Sequence, residues 1–252
     1  MIARKRLSVV ILAAGEGTRL RPLTLTLPKC LVPVSGRPLL TRALEPLAAA
    51  GVDRVTMVTG YREDDIKRHV AGLSLPFPVD FVTNKAYATT NNTYSLWLAR
   101  QHVDSDFVLL DGDLYYDPRA LSALLAMESE IALAVERKYV GEVRLTLDAN
   151  GYIATIGKHV PREAAYGESV GLHFFSRRAA DALFQTVDAL VREGGSGVFY
   201  EVAFERMIRA GWRFEVLDAT DTPCQEIDDL TDLARAEQLA AAADLATRRN
   251  EV

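Results

Sequence analysis

Cysteine is scarce in this chain, which has two cysteines, Cys30 and Cys224, among 252 residues. Two cysteines this far apart in sequence provide neither a disulfide framework nor a metal-binding spacing. The four histidines show no ligand spacing either. Because unpaired cysteine is typical of a reducing compartment, we expect a cytoplasmic protein.

An excess of positive charge is also missing. The chain carries 29 Lys and Arg against 34 Asp and Glu, which gives a formal net charge of −5. Because nucleic-acid backbones are bound through clustered basic side chains, we expect no nucleic-acid partner. The apolar stretches are too short to span a bilayer, so we expect no membrane partner. A phosphate-bearing partner of this chain should therefore be a small molecule.

The two best-known phosphate-binding motifs are absent from the segment where they would be expected. An apolar run, Leu7 to Leu12, leads into a loop of small residues. A dinucleotide-binding loop needs a third Gly or Ala where Leu20 stands. A P-loop needs Lys directly after Gly17, and Thr18 follows it here.

The loop nevertheless contains groups that suit a triphosphate. Small residues let the backbone approach a ligand, and loop N–H groups donate to anionic oxygens. Arg19 and Lys29 add positive charge. A plain strand-to-helix turn is the simpler alternative, but it does not require Pro28-Lys29 at that distance. We predict a nucleotide site that contains Leu12, Ala13, Ala14, Gly15, Glu16, Gly17, Thr18, Arg19 and Lys29.

Strand and helix patterns alternate along the chain. The predicted strands include Arg54 to Thr59, Val79 to Thr83, Phe107 to Leu110, Ile131 to Glu136 and Gly167 to Phe175. The predicted helices are Pro38 to Ala50, Glu63 to Ala71, Asn91 to Gln101, Arg177 to Val191, Val198 to Ala210 and Leu230 to about Ala246.

This order of elements predicts an α/β fold. We expect one Rossmann-like domain over residues 1–246, with a mostly parallel mixed sheet and helices on both faces. The nucleotide half covers about residues 1–118. The second half, about residues 119–246, contains a β-hairpin with its turn at Asp148 to Gly151, and residues 247–252 form a tail.

Two acidic segments complete the predicted site. Asp111-Gly112-Asp113 follows a buried strand, which places its carboxylates at the same sheet edge as the Gly15 loop. Glu226-Ile227-Asp228-Asp229 precedes the last helix. Since Mg²⁺ prefers oxygen ligands, we predict that Asp113 and Asp228 bind it. A turn role for Asp113 and a capping role for Asp228 are the simpler alternatives.

The segment from Leu12 to Lys29 resembles the signature of the sugar-phosphate and alkyl-phosphate nucleotidyltransferases. In that family a Gly-Asp after the central strand and a Glu-Ile-Asp before the last helix supply metal carboxylates. Gly112-Asp113 and Glu226-Ile227-Asp228 match these motifs, although Cys224 stands where the family often has Trp. The resemblance implies Mg²⁺-dependent nucleotidyl transfer with the catalytic residues Arg19, Lys29, Asp113 and Asp228.

An Asn-rich run follows the predicted strand Val79 to Thr83 and consists of Asn84, Tyr87 and Thr90-Asn91-Asn92-Thr93-Tyr94-Ser95-Leu96. It is similar to the run of the phosphocholine and 2-aminoethylphosphonate cytidylyltransferase-like branch. Amide groups at a helix start can pair with a pyrimidine edge, whereas a helix cap would use only one of Asn91 and Asn92. The resemblance implies that CTP, or another pyrimidine nucleoside triphosphate, is the nucleotide. The residues implied as its contacts are Thr90, Asn91, Asn92 and Ser95.

The acceptor side carries weaker signals. Lys158 could hold a phosphate or phosphonate, Glu168 and Glu201 could face an amine or hydroxyls, and tyrosines could contact a quaternary ammonium. The simpler alternative is that these residues have no ligand role and are an exposed lysine, surface glutamates and half-buried tyrosines. The candidate acceptor-binding residues are Lys158, Glu168, Tyr200, Glu201 and Tyr115.

The resemblance as a whole implies cytidylyl transfer from CTP to a small phosphorylated alcohol or aminoalkyl phosphonate. Acceptors like phosphocholine, 2-aminoethylphosphonate or inositol phosphate fit that description. A sugar-1-phosphate uridylyl- or thymidylyltransferase is one alternative, and a non-catalytic nucleotide-binding module is another. The sequence leaves the oligomeric state open, with a homodimer among the options.

Overall fold

The computed structural model describes residues 6–138 and 141–250. Its strands are β1 (Leu7–Ala13), β2 (Pro33–Val34), β3 (Arg37–Pro38), β4 (Arg54–Thr59), β5 (Val79–Thr83), β6 (Asp106–Asp111), β7 (Leu114–Tyr116), β8 (Ile131–Glu136), β9 (Arg144–Leu147), β10 (Ile153–Gly157), β11 (Gly167–Phe175), β12 (Glu215–Asp218) and β13 (Cys224–Glu226). Its α-helices are α1 (Leu39–Ala49), α2 (Glu63–Ala71), α3 (Asn92–Ala99), α4 (Pro118–Ala126), α5 (Arg177–Arg192), α6 (Glu201–Arg209) and α7 (Leu230–Asn250).

Nine strands form one central sheet that draws on both halves of the chain. In the first half, β6, β1, β4 and β5 are parallel neighbours, with Val9 opposite both Val55 and Val108. The long strand β11 runs antiparallel to β6 and joins the second half to this sheet. It also pairs with β8 and β9, and β12 lies parallel to β8 at the far side.

Helices cover both faces of the sheet, and they bury β1 on both sides. Val9 and Ile11 contribute to the apolar cluster that contains buried residues of α1, α2 and α4. Val10 and Leu12 contribute to the cluster that contains residues of α3, α5 and α6. A strand with apolar residues at consecutive positions is what a sheet covered on both faces requires.

A short ribbon outside the main sheet determines where the two predicted metal ligands lie. Strand β13 pairs antiparallel with β7, with Glu226 opposite Leu114. Just beyond the ribbon, the Ile227 N–H donates to the Asp113 carbonyl oxygen over 3.0 Å. Asp113 and Asp228 are therefore neighbours in space although they are distant in sequence.

The predicted fold class is confirmed, whereas several boundaries differ. Helix α6 begins at Glu201 rather than Val198, and α7 continues to Asn250 rather than ending near Ala246. The predicted tail is thus helical up to Asn250, and residues 251–252 lie outside the described part of the chain. No helix among the described residues is long and apolar enough to cross a bilayer.

Candidate active site

A cleft of about 820 Å³ lies at the carboxyl ends of the parallel strands. Leu12 at the end of β1, Asn84 after β5 and Asp111 at the end of β6 line one side of it. Glu168 of β11 and Glu201 of α6 line it from the second half. A ligand in this cleft would contact both halves of the chain, as sites at this edge of an α/β sheet commonly do.

A smaller pocket of about 240 Å³ adjoins the cleft and is lined by the predicted phosphate loop. Gly17 has a φ of 62°, a conformation that favours glycine. A Cβ on Gly17 would lie 3.0 Å from the Lys29 Cβ. The loop therefore packs directly against the stem of Lys29, which explains why a small residue is needed there. The predicted residues that line this pocket are Leu12, Ala13, Gly15, Gly17, Thr18, Arg19, Lys29, Asp113 and Asp228.

Four charged side chains meet where the cleft and the smaller pocket join. The Lys29 ammonium donates to Asp113 Oδ2 over 2.5 Å and to Asp228 Oδ1 over 2.8 Å. Arg19 lies 2.8 Å from the other Asp228 oxygen, Oδ2. The sequence predicted these four residues as catalytic, and the structure brings them together.

The ion pairs of this group outweigh the effect of burial on its charges. Burial lowers the pKa of Lys29, but the neighbouring Asp113 and Asp228 carboxylates raise it above its usual value. Burial raises the pKa of Asp228, but Lys29 and Arg19 lower it below its usual value. Lys29 and Asp228 are therefore both charged at neutral pH.

Asp113 and Asp228 suit a divalent cation together with further ligands. Their carboxylate oxygens converge on one cationic group, the Lys29 ammonium. Within residues 6–138 and 141–250 there is no group of three or more His, Cys, Asp or Glu side chains arranged as a metal site. Mg²⁺ is commonly held by one or two carboxylates with phosphates and water, so this donor pair fits it.

The Asn-rich run organises one wall of the cleft. Asn84 is 1% exposed, and its amide nitrogen donates to Thr90 and Ser95. Asn91 Oδ1 accepts the Asn92 N–H and so caps α3, while Asn92 Oδ1 accepts the Tyr200 N–H. Because backbone donors use the oxygens of Asn91 and Asn92, their amide nitrogens are the groups available to a ligand.

Three carboxyl groups, of which Glu201 is buried and Asp111 and Glu226 are partly buried, form the floor of the cleft. Asp111, Glu201 and Glu226 all line it. Burial raises the pKa of Asp111, with further upward shifts from Asp113 and Glu201, although the Tyr200 hydroxyl opposes the change by donating to it over 2.8 Å. Burial, and then the charges of Asp113 and Asp111, likewise raise the pKa of Glu226.

Glu201 stands out within this floor. It is 6% exposed, and its Oε2 is buried without a hydrogen-bond partner in the described part of the chain. Burial raises its pKa to about 7. A buried carboxyl group without a partner is costly, so this position favours a ligand with hydrogen-bond donors or positive charge.

Three predicted contact residues do not line the cleft or the smaller pocket. Tyr200 is fully buried beneath the floor, where its hydroxyl contacts Asp111 and His173. Tyr115 is 5% exposed and packs in the apolar cluster with Leu20 and Ile227. The Glu16 side chain bonds to Arg21 outside both pockets. Burial thus gives the side chains of Tyr200 and Tyr115 interior contacts instead of the predicted ligand contacts, whereas a contact of the Glu16 backbone with a ligand stays a prediction.

Two other predicted acceptor residues line the cleft but already have partners. The Glu168 carboxylate accepts the N–H groups of Gly141 and Glu142 over 2.6 and 2.7 Å. Lys158 pairs with Glu142 and lies 3.9 Å above the ring of Phe199. Glu168 thus anchors a loop, whereas Lys158 is an exposed cation beside the cleft.

Several residues that line the cleft are not among the predicted site residues. Asp111 and Glu226 lie beside the predicted ligands in sequence, and the Asp111 carboxylate was expected at this sheet edge, but neither residue was predicted as a ligand contact. The basic residues Lys138, Arg162 and Arg235, the loop residue Glu142 and the aromatic residue Phe199 also line it.

Comparison with known proteins shows the family and the fold of this chain. A family model described as the MobA-like NTP transferase domain matches residues 9–199. The CMP-5'-(3-aminopropyl)phosphonate synthase of Streptomyces rubellomurinus is 31% identical over 252 residues, covering 90% of this chain. This chain spans only 38% of that protein's length. The 2-aminoethylphosphonate cytidylyltransferase of Lancefieldella rimae is 29% identical over 207 residues, 78% of each chain.

A solved structure shows the same fold. The CTP:phosphocholine cytidylyltransferase of Streptococcus pneumoniae superimposes with a TM-score of 0.73 at 23% identity. The match covers 93% of this chain and 99% of that one. At this level of identity the likeness supports the architecture alone.

Proposed function

This chain belongs to the MobA-like NTP transferase family, and from that membership we propose that it transfers a cytidylyl group from CTP to a small phosphate- or phosphonate-bearing acceptor. One observation carries the proposal: Lys29, Asp113 and Asp228 meet beside a glycine loop at the mouth of a two-sided cleft. Such a site can hold a triphosphate on one side and an anionic acceptor on the other.

The proposed reaction needs no general base because the acceptor oxygen is already anionic. That oxygen bonds to the α-phosphorus of CTP, and the bond from the α-phosphorus to the pyrophosphate oxygen breaks. Lys29 and Arg19 oppose the negative charge of the triphosphate, and loop N–H groups donate to its oxygens. Mg²⁺ held by Asp113 and Asp228 would add positive charge beside the reacting phosphate when bound. Catalysis is then mainly positioning and electrostatics.

The proposed choice of base rests on the Asn91 and Asn92 side chains. Their amide oxygens are used by backbone N–H groups, which leaves amide nitrogens as donors toward the cleft. Cytosine presents an acceptor at N3 and an amino donor at its 4-position, whereas uracil presents a donor at N3 and a carbonyl acceptor at its 4-position. An amide N–H of Asn91 or Asn92 placed at N3 of the base therefore favours cytosine, and a mismatched edge leaves polar groups unpaired at a cost of roughly 1–3 kcal/mol.

The proposed acceptor carries an amine in addition to its phosphate or phosphonate. The cleft floor presents Glu201, whose Oε2 has no hydrogen-bond partner among the described residues, together with Asp111 and Glu226. Among the described residues that line the cleft, the aromatic ones are Tyr87 and Phe199, and Lys158 already covers the Phe199 ring. A primary ammonium has three N–H donors for carboxylates, whereas a quaternary ammonium relies on aromatic faces. An aminoalkyl phosphonate fits this cleft better than phosphocholine.

We expect Glu201→Gln to raise the KM for 2-aminoethylphosphonate by about tenfold or more, since it removes the charge that faces the ammonium. The KM for ethylphosphonate, which lacks the amine, should change little. Steady-state kinetics with both acceptors checks this. Glu193→Gln, at an exposed glutamate paired with Arg206, serves as the control. Equal changes for the two acceptors would contradict an amine-binding role.

The contribution of Glu201 to the preference for 2-aminoethylphosphonate over ethylphosphonate should depend on pH. Burial raises the pKa of Glu201 to about 7, so its ionised fraction increases from pH 6 to pH 8. The two phosphonates titrate differently, because the ammonium of 2-aminoethylphosphonate lowers the second pKa of its phosphonate group. The effect of Glu201 is therefore the preference for 2-aminoethylphosphonate over ethylphosphonate in the wild type divided by the same preference in Glu201→Gln. This quotient should increase from pH 6 to pH 8 by up to about tenfold, and a quotient that does not change with pH would contradict the role of Glu201.

The proposed function as a whole is tested by a pyrophosphate-release assay with CTP and Mg²⁺. The acceptors are phosphocholine, 2-aminoethylphosphonate, inositol 1-phosphate and glucose 1-phosphate. We expect the highest turnover with 2-aminoethylphosphonate. Turnover with glucose 1-phosphate alone would favour a sugar-nucleotide enzyme, and no turnover with any acceptor or nucleotide would favour a non-catalytic module.

A further inference from the structure

The Lys29 ammonium fills the space between Asp113 and Asp228. It contacts one oxygen of each carboxylate, over 2.5 and 2.8 Å, and its side chain is 14% exposed. The stem of Lys29 is held against the phosphate loop, because the Cβ position of Gly17 lies only 3.0 Å from the Lys29 Cβ. Packing therefore fixes the start of the Lys29 side chain, and the ion pairs with Asp113 and Asp228 hold its ammonium end.

Two cationic side chains lie against the carboxylates of Asp113 and Asp228. Lys29 contacts both of them, and Arg19 contacts the second Asp228 oxygen and lies 3.7 Å from Glu142. A divalent cation placed at these carboxylates would face the nearby ammonium and guanidinium charges. A triphosphate brings negative charge that can attract the Lys29 ammonium away from the carboxylates.

From this geometry we infer that Lys29 is a built-in counter-cation that keeps free divalent metal out of the site until a nucleoside triphosphate binds. The inference rests on the proposed role of Asp113 and Asp228 as metal ligands. It adds that metal and nucleotide bind as a coupled pair, with Lys29 exchanging its carboxylate partners for the triphosphate. The protein without nucleotide is then stabilised by an internal cation rather than by a metal.

The test is a titration of the protein with Mn²⁺ in the absence of nucleotide. Binding is measured by calorimetry or from the electron spin resonance signal of free Mn²⁺. We expect Lys29→Met to bind Mn²⁺ at least about tenfold more tightly than the wild type, which corresponds to ~1.4 kcal/mol. Lys67→Met, at a lysine on α2 that pairs with Glu63, should bind Mn²⁺ as the wild type does. Equal Mn²⁺ affinities in the wild type and Lys29→Met would overturn the inference.

A second variant and a second measurement test whether Mn²⁺ binds at Asp113 and Asp228. Asp228→Asn in the Lys29→Met background should abolish the gained affinity, and its persistence would overturn the inference by placing the ion elsewhere. Mn²⁺ should also raise the Tm of Lys29→Met while leaving that of the wild type unchanged. None of these measurements requires turnover. Cytidylyl transfer by the wild type tests the proposed function separately, so failure of one can be distinguished from failure of the other.

Discussion

Asp113→Asn should lower kcat for pyrophosphate release by about 10²–10³-fold while the protein remains folded. The change keeps the shape of the side chain but removes one of the two carboxylates that converge on a cation at the mouth of the cleft. Single electrostatic contributors of this kind provide roughly 2.7–4 kcal/mol of transition-state stabilisation. Steady-state kinetics at saturating CTP and Mg²⁺ measures the loss.

The matched control is Asp181→Asn, at an exposed aspartate on α5 that pairs with Arg177. It should keep wild-type kcat, and both variants should give wild-type circular dichroism. Near-normal turnover in Asp113→Asn would remove Asp113 from the catalytic group. The proposed metal site would then have to be rebuilt around other carboxylates of the cleft floor.

Lys29→Ala should lower kcat/KM for CTP by about 10²-fold, or ~2.7 kcal/mol in transition-state stabilisation. The lost ammonium would otherwise oppose the charge that grows on the pyrophosphate as it departs. The change also leaves Asp113 and Asp228 without their shared cation. Kinetics over a range of CTP concentrations separates a loss in kcat from a rise in KM.

Lys67→Ala is the control for charge alone, because Lys67 lies on α2 and pairs with Glu63 outside the cleft. It should change kcat/KM by less than about twofold, as surface substitutions usually have small effects. If the two lysine variants lost activity to the same small extent, Lys29 would be an ordinary surface charge and its proposed contact with the triphosphate would be wrong.

The parts of the fold that carry strong periodic signals could be predicted from the sequence. Strands β4, β5, β8 and β11 begin and end where the runs of apolar and β-branched residues predict. Helix α4 was not predicted, although Asp117 caps it and Pro118 begins it. Strands β7 and β13 were not predicted because three residues are too few for a periodic pattern.

For the site too, local motifs could be predicted from the sequence, whereas long-range contacts could not. Arg19, Lys29, Asp113 and Asp228 are recognisable from the sequence because each lies in a local motif. Their meeting depends on the pairing of β7 with β13, which is a long-range contact that local patterns do not encode. Tyr115 and Tyr200 illustrate the reverse error. An aromatic residue next to a motif resembles a ligand contact, but here both side chains pack into the interior.

The central proposal is most directly tested by kcat/KM for CTP and for UTP with one saturating acceptor, 2-aminoethylphosphonate. If an amide N–H of Asn91 or Asn92 contacts N3 of the base, as proposed, CTP is preferred by at least about tenfold, or ~1.4 kcal/mol. The measurement uses the wild-type protein and one Mg²⁺ concentration, so only the edge of the base differs. Equal values, or a preference for UTP, would contradict cytidylyl transfer and favour the sugar-nucleotide alternative.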